Sequence, residues 1–358
     1  MAPLGTALVV VGVGVALALA KAQRERRSTA AAVRARRDRR RPSLRKSELL
    51  AEGLQRVILG QLDLAIELLE AYPDGTARAQ TNGSAAGGSG PGEETVHETR
   101  KALKRLRALL ALLRDELGPK RYARENATLR DCARRLAGAR DAEVMLGTLD
   151  TLLRSSPAKL ARSAAIRTLR AELHTEREAA AALAIRDPRV REEVLDELRA
   201  VRARVERWEL RERGFKLLAP GLERIYRRGR RGLRTARRRG GVEALHKWRK
   251  TVKELRYVAE TMDRGGKSAS GSANDLRRIA RDADHLGELL GEEHDLALLQ
   301  IRVRKRSQKR AGERKARKRL LKLIARRRKS LRKRAMREGE RLYRRKPRRF
   351  VRRLKRPR

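Results

Sequence analysis

Helical periodicity, sustained over most of the chain and broken by Gly and Pro at only a few places, constrains this sequence more than any other feature. Apolar residues recur at three- and four-residue spacing, and strand-type alternation is missing. The spacing predicts helices over 47–71, 93–116, 121–136, 139–154, 157–184, 188–210, 216–238, 242–263, 273–290 and 293–310. Two stretches, 73–92 (PDGTARAQTNGSAAGGSGPG) and 265–274 (GGKSASGSAN), read as flexible surface loops. The fold class is therefore all-α, built from helix bundles.

Charge narrows the partners. Lys and Arg number 93 against 44 acidic residues, a net charge of +49. A surface this basic repels itself in the compact state and points to a phosphate-rich polyanion. Aromatic residues make up only 3%, which disfavours base stacking on single-stranded nucleic acid. Cys132 is the only cysteine, so neither an intrachain disulfide nor a four-cysteine zinc site can form, and a reducing, cytoplasmic compartment fits. The histidines, His97, His174, His246, His285 and His294, lack metal-ligand spacing, so neither a metal nor a cofactor is expected.

The most informative motif occurs twice. His97-Glu-Thr-Arg100-Lys101-Ala-Leu-Lys104-Arg105-Leu-Arg107 and His246-Lys-Trp-Arg249-Lys250-Thr-Val-Lys253-Glu-Leu-Arg256 share H-x-x-R-K-x-[LV]-K-x-L-R, 149 residues apart. Arg140-Asp141 and His294-Asp295 match again at an offset of 154. A duplicated unit accounts for both. At about 100° per residue, His97, Arg100, Lys101, Lys104 and Arg107 fall on one stripe of roughly 120°, with Leu103, Leu106, Leu109, Leu110 and Leu113 opposite. His246, Arg249, Lys250, Lys253 and Arg256 repeat the stripe, with Trp248, Val252, Leu255, Val258, Ala259 and Met262 opposite. A solvated face alternates its charges to gain stability, whereas like charges four residues apart cost a few tenths of a kcal/mol per pair. The same unfavourable pattern in both copies points to a bound anion.

These segments, together with LLAEGLQRVILGQLDLAIELL, RENATLRDCARRLAGARDAEVML, GLERIYRRGRRGLRTARRRG and LGELLGEEHDLALL, resemble the CHAD family, the conserved histidine α-helical domain, over residues 47–299. The resemblance implies two four-helix bundles related by a pseudo-twofold axis, with a basic groove or pore between them that binds inorganic polyphosphate. It also implies association with polyphosphate granules. Some members carry a triphosphatase domain, whose tunnel motif is not visible here. The expected organisation is an apolar segment 1–20, a basic linker 21–46, the domain 47–300 in halves 47–186 and 188–300, and a basic extension 301–358.

Polyphosphate has no bases or sugars, so recognition rests on charge density and hydrogen-bond donors. Arg offers a planar fork and Lys a mobile point charge, a mixture that suits a sliding chain. The expected ligands are His97, Arg100, Lys101, Lys104, Arg107, Arg140, His246, Arg249, Lys250, Lys253, Arg256 and His294. An imidazole beside phosphate is expected to favour its protonated form. Asp141 and Asp295 are expected to orient neighbouring cations, and Arg130, Arg134, Arg277 and Arg281 to extend the lining. No phosphate-cradling loop, nucleophile elbow or carboxylate cluster is present, so binding rather than catalysis is expected.

Two other readings stand beside this one. The basic tails could hold nucleic acid through its backbone, and removing residues after 310 is expected to separate that reading from polyphosphate binding. Residues 1–20 carry no charge and precede Lys21, Arg24, Arg26 and Arg27, so they read as a short membrane anchor or as an Ala-rich packing helix.

Overall fold

The computed structural model describes residues 44–45, 48–72, 91–136, 140–154, 156–183, 188–212, 214–263, 272–305 and 311–355. The apolar segment 1–20 and most of the basic linker lie outside them. Among the described residues the chain is all-α, and no helix is long and apolar enough to cross a membrane.

In chain order the helices are α1 (Leu50–Glu70), α2 (Pro91–Leu112), α3 (Arg114–Arg135), α4 (Arg140–Arg154), the single turn α5 (Ala158–Ala161), α6 (Ala164–Leu183) and α7 (Pro188–Glu206). After a 3-10 turn at Gly214–Leu217 come α8 (Ala219–Arg239), α9 (Val242–Met262), α10 (Ser272–Lys305), α11 (Ala311–Leu342) and α12 (Pro347–Lys355). One group contains α1, α2, α3 and α7, and another contains α8 to α12. α2 joins them by packing on α8 and α9, while α4 and α6 pack on α10 and α11.

Periodicity explains the interior. Leu103, Leu106, Leu109, Leu110 and Leu113 are all buried, as are Trp248, Val252, Leu255, Val258, Ala259 and Met262 on α9. Each such large side chain contributes about 1.5–3 kcal/mol by leaving water. Within α3, Gly118 takes a left-handed φ of 74° and Pro119 follows it, so the chain bends there before the long basic part of the helix.

Several boundaries differ from the periodic reading. The expected helices 273–290 and 293–310 are not separated at 291–292, because Gly291 is accommodated inside α10, Ser272–Lys305, without a turn. The span 157–184 is instead interrupted near Ser163, between α5 and α6. α7, which opens the expected second half, packs on the first group. Gln55 of α1 donates to the terminal carbonyls of Val205 and Glu206, and Arg202 meets Asp63 at 2.5 Å. Arg204 reaches the fully buried Glu125 of α3 at 2.7 Å.

The stretch expected as a basic extension is integral to the core. Leu320, Ile324, Leu331, Ala335, Leu342, Tyr343, Phe350 and Leu354 are buried. Trp248, 0% exposed, lies between Gly232 of α8 and Gly339 of α11. A Cβ added at Gly339 would meet its ring at 2.5 Å. Removing residues after 310 would therefore strip the core, and it cannot serve to separate one ligand from another.

Candidate functional site

The duplicated helices α2 and α9 pack against each other, and Arg249 of one cationic stripe comes near enough to Lys104 of the other to act on its charge. Lys104 is open to solvent, yet its ammonium is pushed down to about 8. Crowding by the surrounding protein is the first cause, followed by Arg100 on its own helix and Arg249 on the other. Water reaches part of this side chain, and the packed helices around it exclude water from the rest. Accessibility and desolvation are thus compatible. No carboxylate figures among the causes of the shift.

His246 and His294, 48 residues apart, stack with ring centroids 4.2 Å apart and planes inclined by 30°. His246 is pushed down to about 4, first by burial and then by His294, Lys250 and Arg249. Its Nδ1 is buried without a hydrogen-bond partner. The ring is therefore neutral near pH 7. The ring has lost part of its water, and His294, Lys250 and Arg249 disfavour a further positive charge.

α9 also faces a cavity of about 720 Å³ bounded by α4, α10 and α11. Arg249, Lys253 and Arg256 reach it, joined by Arg327 of α11. Asp284, Glu288, Glu292 and Asp295 line it as well, so the cavity is balanced in charge rather than uniformly basic. Arg256 bonds to Glu260 at 2.6 Å and to Asp284. Burial works against its charge, and the two carboxylates outweigh burial, leaving the guanidinium raised. Arg327 holds Glu292 through Nε at 2.6 Å and Nη2 at 3.0 Å. Excess positive charge therefore concentrates on the Arg249 side, toward Arg100 and Lys104.

A seat for Arg249 comes from α10. A Cβ at Gly291 would meet the guanidinium Nη2 at 3.0 Å, and one at Gly287 would meet Lys253 Cγ at 3.8 Å. The repeated glycine in LGELLG was a sequence signal for this seat, one that helical periodicity passes over. Arg105 was missed as well. It is buried, 5.9 Å over the Tyr257 ring, between Glu98 of its own helix and Glu260 of α9.

Other expected residues have different surroundings. Lys101 pairs with Glu98 at 3.2 Å, and Arg107 donates to Asn126 at 3.0 Å. His97 is half-buried on α2, while Lys250 is exposed beside His246. Asp295 stands in the cavity wall rather than behind it. Arg130 and Arg134 both hold Asp131, and Arg277 holds Asp263 at 3.1 Å. Neither these three, each paired with a carboxylate, nor the exposed Arg281 lines the cavity. The side chains of Arg140 and Asp141 lie outside the described residues. Among the described residues no group of His, Cys, Asp and Glu could hold a metal ion.

A family profile for the CHAD domain matches residues 76–304. The chain belongs to the CHAD domain family. The crystal structure of the CHAD domain from the plant Ricinus communis is similar to it, with 20% identity and a TM-score of 0.49. That similarity covers 84% of this chain and 94% of the plant chain. No curated protein matches the chain. The CHAD match includes α2, α9 and α10, and so both basic motifs and the stacked histidines. It ends before α11 and α12. Arg327 and the glycine behind Trp248 are therefore supplied to the CHAD domain from outside the matched span.

Proposed function

We propose that this CHAD protein binds inorganic polyphosphate, without transforming it, along the cleft between α2 and α9, and that binding brings the protein to polyphosphate granules. The observation that carries the reading is the crowding of Lys104 by Arg100 from one repeat and Arg249 from the other. Like charges gathered there disfavour the empty cleft, and a phosphate chain between them would relieve the repulsion. His246 and His294 stand beside the same Arg249, where an anion would favour protonation and turn a neutral ring into a donor from both nitrogens. Membership in the CHAD family supports the same partner.

The test is competition between long-chain polyphosphate and duplex DNA at equal phosphate concentration and physiological salt. Polyphosphate is expected to be retained more strongly, with affinity falling steeply as salt rises. Stronger retention of DNA would remove this reading. The second reading, binding to a nucleic-acid backbone, is favoured by the exposed basic side chains Arg326, Lys329, Lys333, Arg334 and Arg337 of α11. Substituting those five by Gln would weaken DNA binding and leave polyphosphate binding nearly intact.

A further inference from the structure

Where α11 gives way to α12, the chain turns over α8 and borders a second, open cavity of about 470 Å³. Its walls are Arg230 of α8, Arg344, Arg345 and Lys346 of the connecting turn, and Arg349 of α12. No residue of this wall is shared with the larger cavity, and no carboxylate lines it. Cations on the same helices find acidic partners: Arg228 with Glu254, Arg237 with Glu340, Arg341 with Glu338 and Arg353 with Asp275. Among the described residues none of the five in the cavity wall forms a direct ion pair, although Asp275, held by Arg353 and Arg278, also acts on Arg345.

The turn that carries them is held firmly. Tyr226 donates to the Leu342 carbonyl at 3.0 Å and accepts the Arg345 amide at 3.3 Å. Its ring stacks on Phe350 with centroids 3.9 Å apart. Phe350 and Leu354 anchor α12 in the core. Burial first, and then Arg353, Arg344 and Arg278, hold the Arg345 guanidinium below its usual range. Five like charges thus border one concave space whose backbone Tyr226 and Phe350 hold in place.

We infer that this cavity is a second phosphate site, shaped for a compact ligand carrying several phosphoryl groups in a row, of which a linear triphosphate is the simplest. Cations from three elements can approach such a ligand from different sides, and each Arg fork can take two phosphoryl oxygens. A single phosphate would leave most of the five charges uncompensated. A duplex presents its backbone on a convex surface and would touch only the rim. Most of the wall lies beyond residues 76–304, the span that the CHAD profile matches. It does not depend on the cleft reading.

The probe is tripolyphosphate, titrated into the full chain by calorimetry at fixed salt. Four proteins are compared first, and a fifth, Arg345→Gln, beside them. The four are the wild type, a turn variant (Arg230→Gln, Arg344→Gln, Arg349→Gln), a cleft variant (Arg100→Gln, Lys104→Gln, Arg249→Gln, Lys253→Gln) and a surface control on α11 (Arg326→Gln, Lys329→Gln, Lys333→Gln). The turn variant is expected to weaken one binding event per chain by at least about tenfold, with unchanged circular dichroism, while the cleft variant retains that event. Arg345→Gln keeps the backbone bond to Tyr226 and is expected to show a partial loss, so the result does not rest on the triple variant folding. Unchanged binding in both turn variants overturns the proposal, as does an equal loss in the surface control. A cleft variant that changes nothing removes the cleft reading and leaves this one standing.

Competition with long-chain polyphosphate identifies the source. Displacement in proportion to chain ends assigns the terminus of a polymer, and failure to displace assigns a free oligophosphate. Displacement in proportion to total phosphate contradicts a compact ligand and overturns the inference.

Discussion

The imidazole of His246 lies against that of His294, with 4.2 Å between ring centroids, although the two belong to different helices. Two titratable rings in contact, beside Arg249 and Lys250, cannot both be charged cheaply. His246 is accordingly lowered from an ordinary value of 6.5 to about 4. In the unfolded chain it binds a proton below about pH 6.5, while in the folded protein it resists until about pH 4. Folding stability is therefore expected to fall as the pH drops through that window, by on the order of 1–2 kcal/mol after solvent screening. Denaturation of wild type and His246→Asn between pH 7 and 4 measures this, and equal slopes would show that the ring does not carry the effect. Phosphate binding should also move the His246 resonance titration upward.

Lys104 links binding to protons at the alkaline end. Its ammonium is lowered to about 8, so above that pH the empty cleft holds it partly neutral. A polyanion favours the charged form, and binding then takes up a proton. Affinity is expected to be flat below about pH 8 and to decline above it. Calorimetry at pH 8.5 in buffers of different ionisation enthalpy reads the uptake directly. No dependence on buffer would contradict the linkage.

Replacing Arg100, Lys104, Arg249 and Lys253 together by Gln is expected to abolish polyphosphate binding in the cleft while leaving helix content unchanged. Because these charges repel one another, the variant should melt at or above the wild-type temperature. A lower melting temperature would assign the four residues to the fold.

Trp248 is packed between Gly232 and Gly339, with no room for another carbon. Alanine at 339 gains helix propensity but drives a methyl group into a rigid, buried ring. A net loss of about 1–3 kcal/mol is expected by chemical denaturation. Truncation after residue 310 is expected to yield a chain without a cooperative transition. A truncated protein that unfolds like the full chain would show that α11 is dispensable.

Glu293, 1% exposed, accepts from Arg328 and Arg332, each at 2.8 Å, and so ties α10 to α11. Its replacement by Gln removes the counter-charge from inside the core and is expected to cost about 3 kcal/mol. Pairing Glu293→Gln with Arg328→Met in a double-mutant cycle should recover part of that loss.

The leucine face of α2 and the apolar face of α9 were legible in the sequence, because each is a property of one helix turning at 3.6 residues per turn. The continuity of α10 was not, because Gly291 reads as an ending, whereas packing against Arg249 stabilises the helix straight through it. The same limit hid α11 inside the core. Its majority of Arg and Lys reads as a solvated tail, while the sparse Leu320, Ile324 and Leu331 are enough to bury one side once α10 is beside it.

What this sequence determined by itself is the local part: helices, their apolar faces, and two cationic stripes inherited from one repeated unit. The tertiary structure alone decided which cations share a cleft, which are neutralised by Asp284 or Glu292, and which histidine is held neutral. Helical periodicity depends on neighbours a few residues away, so it can be read along the chain. Coulomb interaction and desolvation depend on distances through space, and those were set only when helices far apart in sequence came into contact.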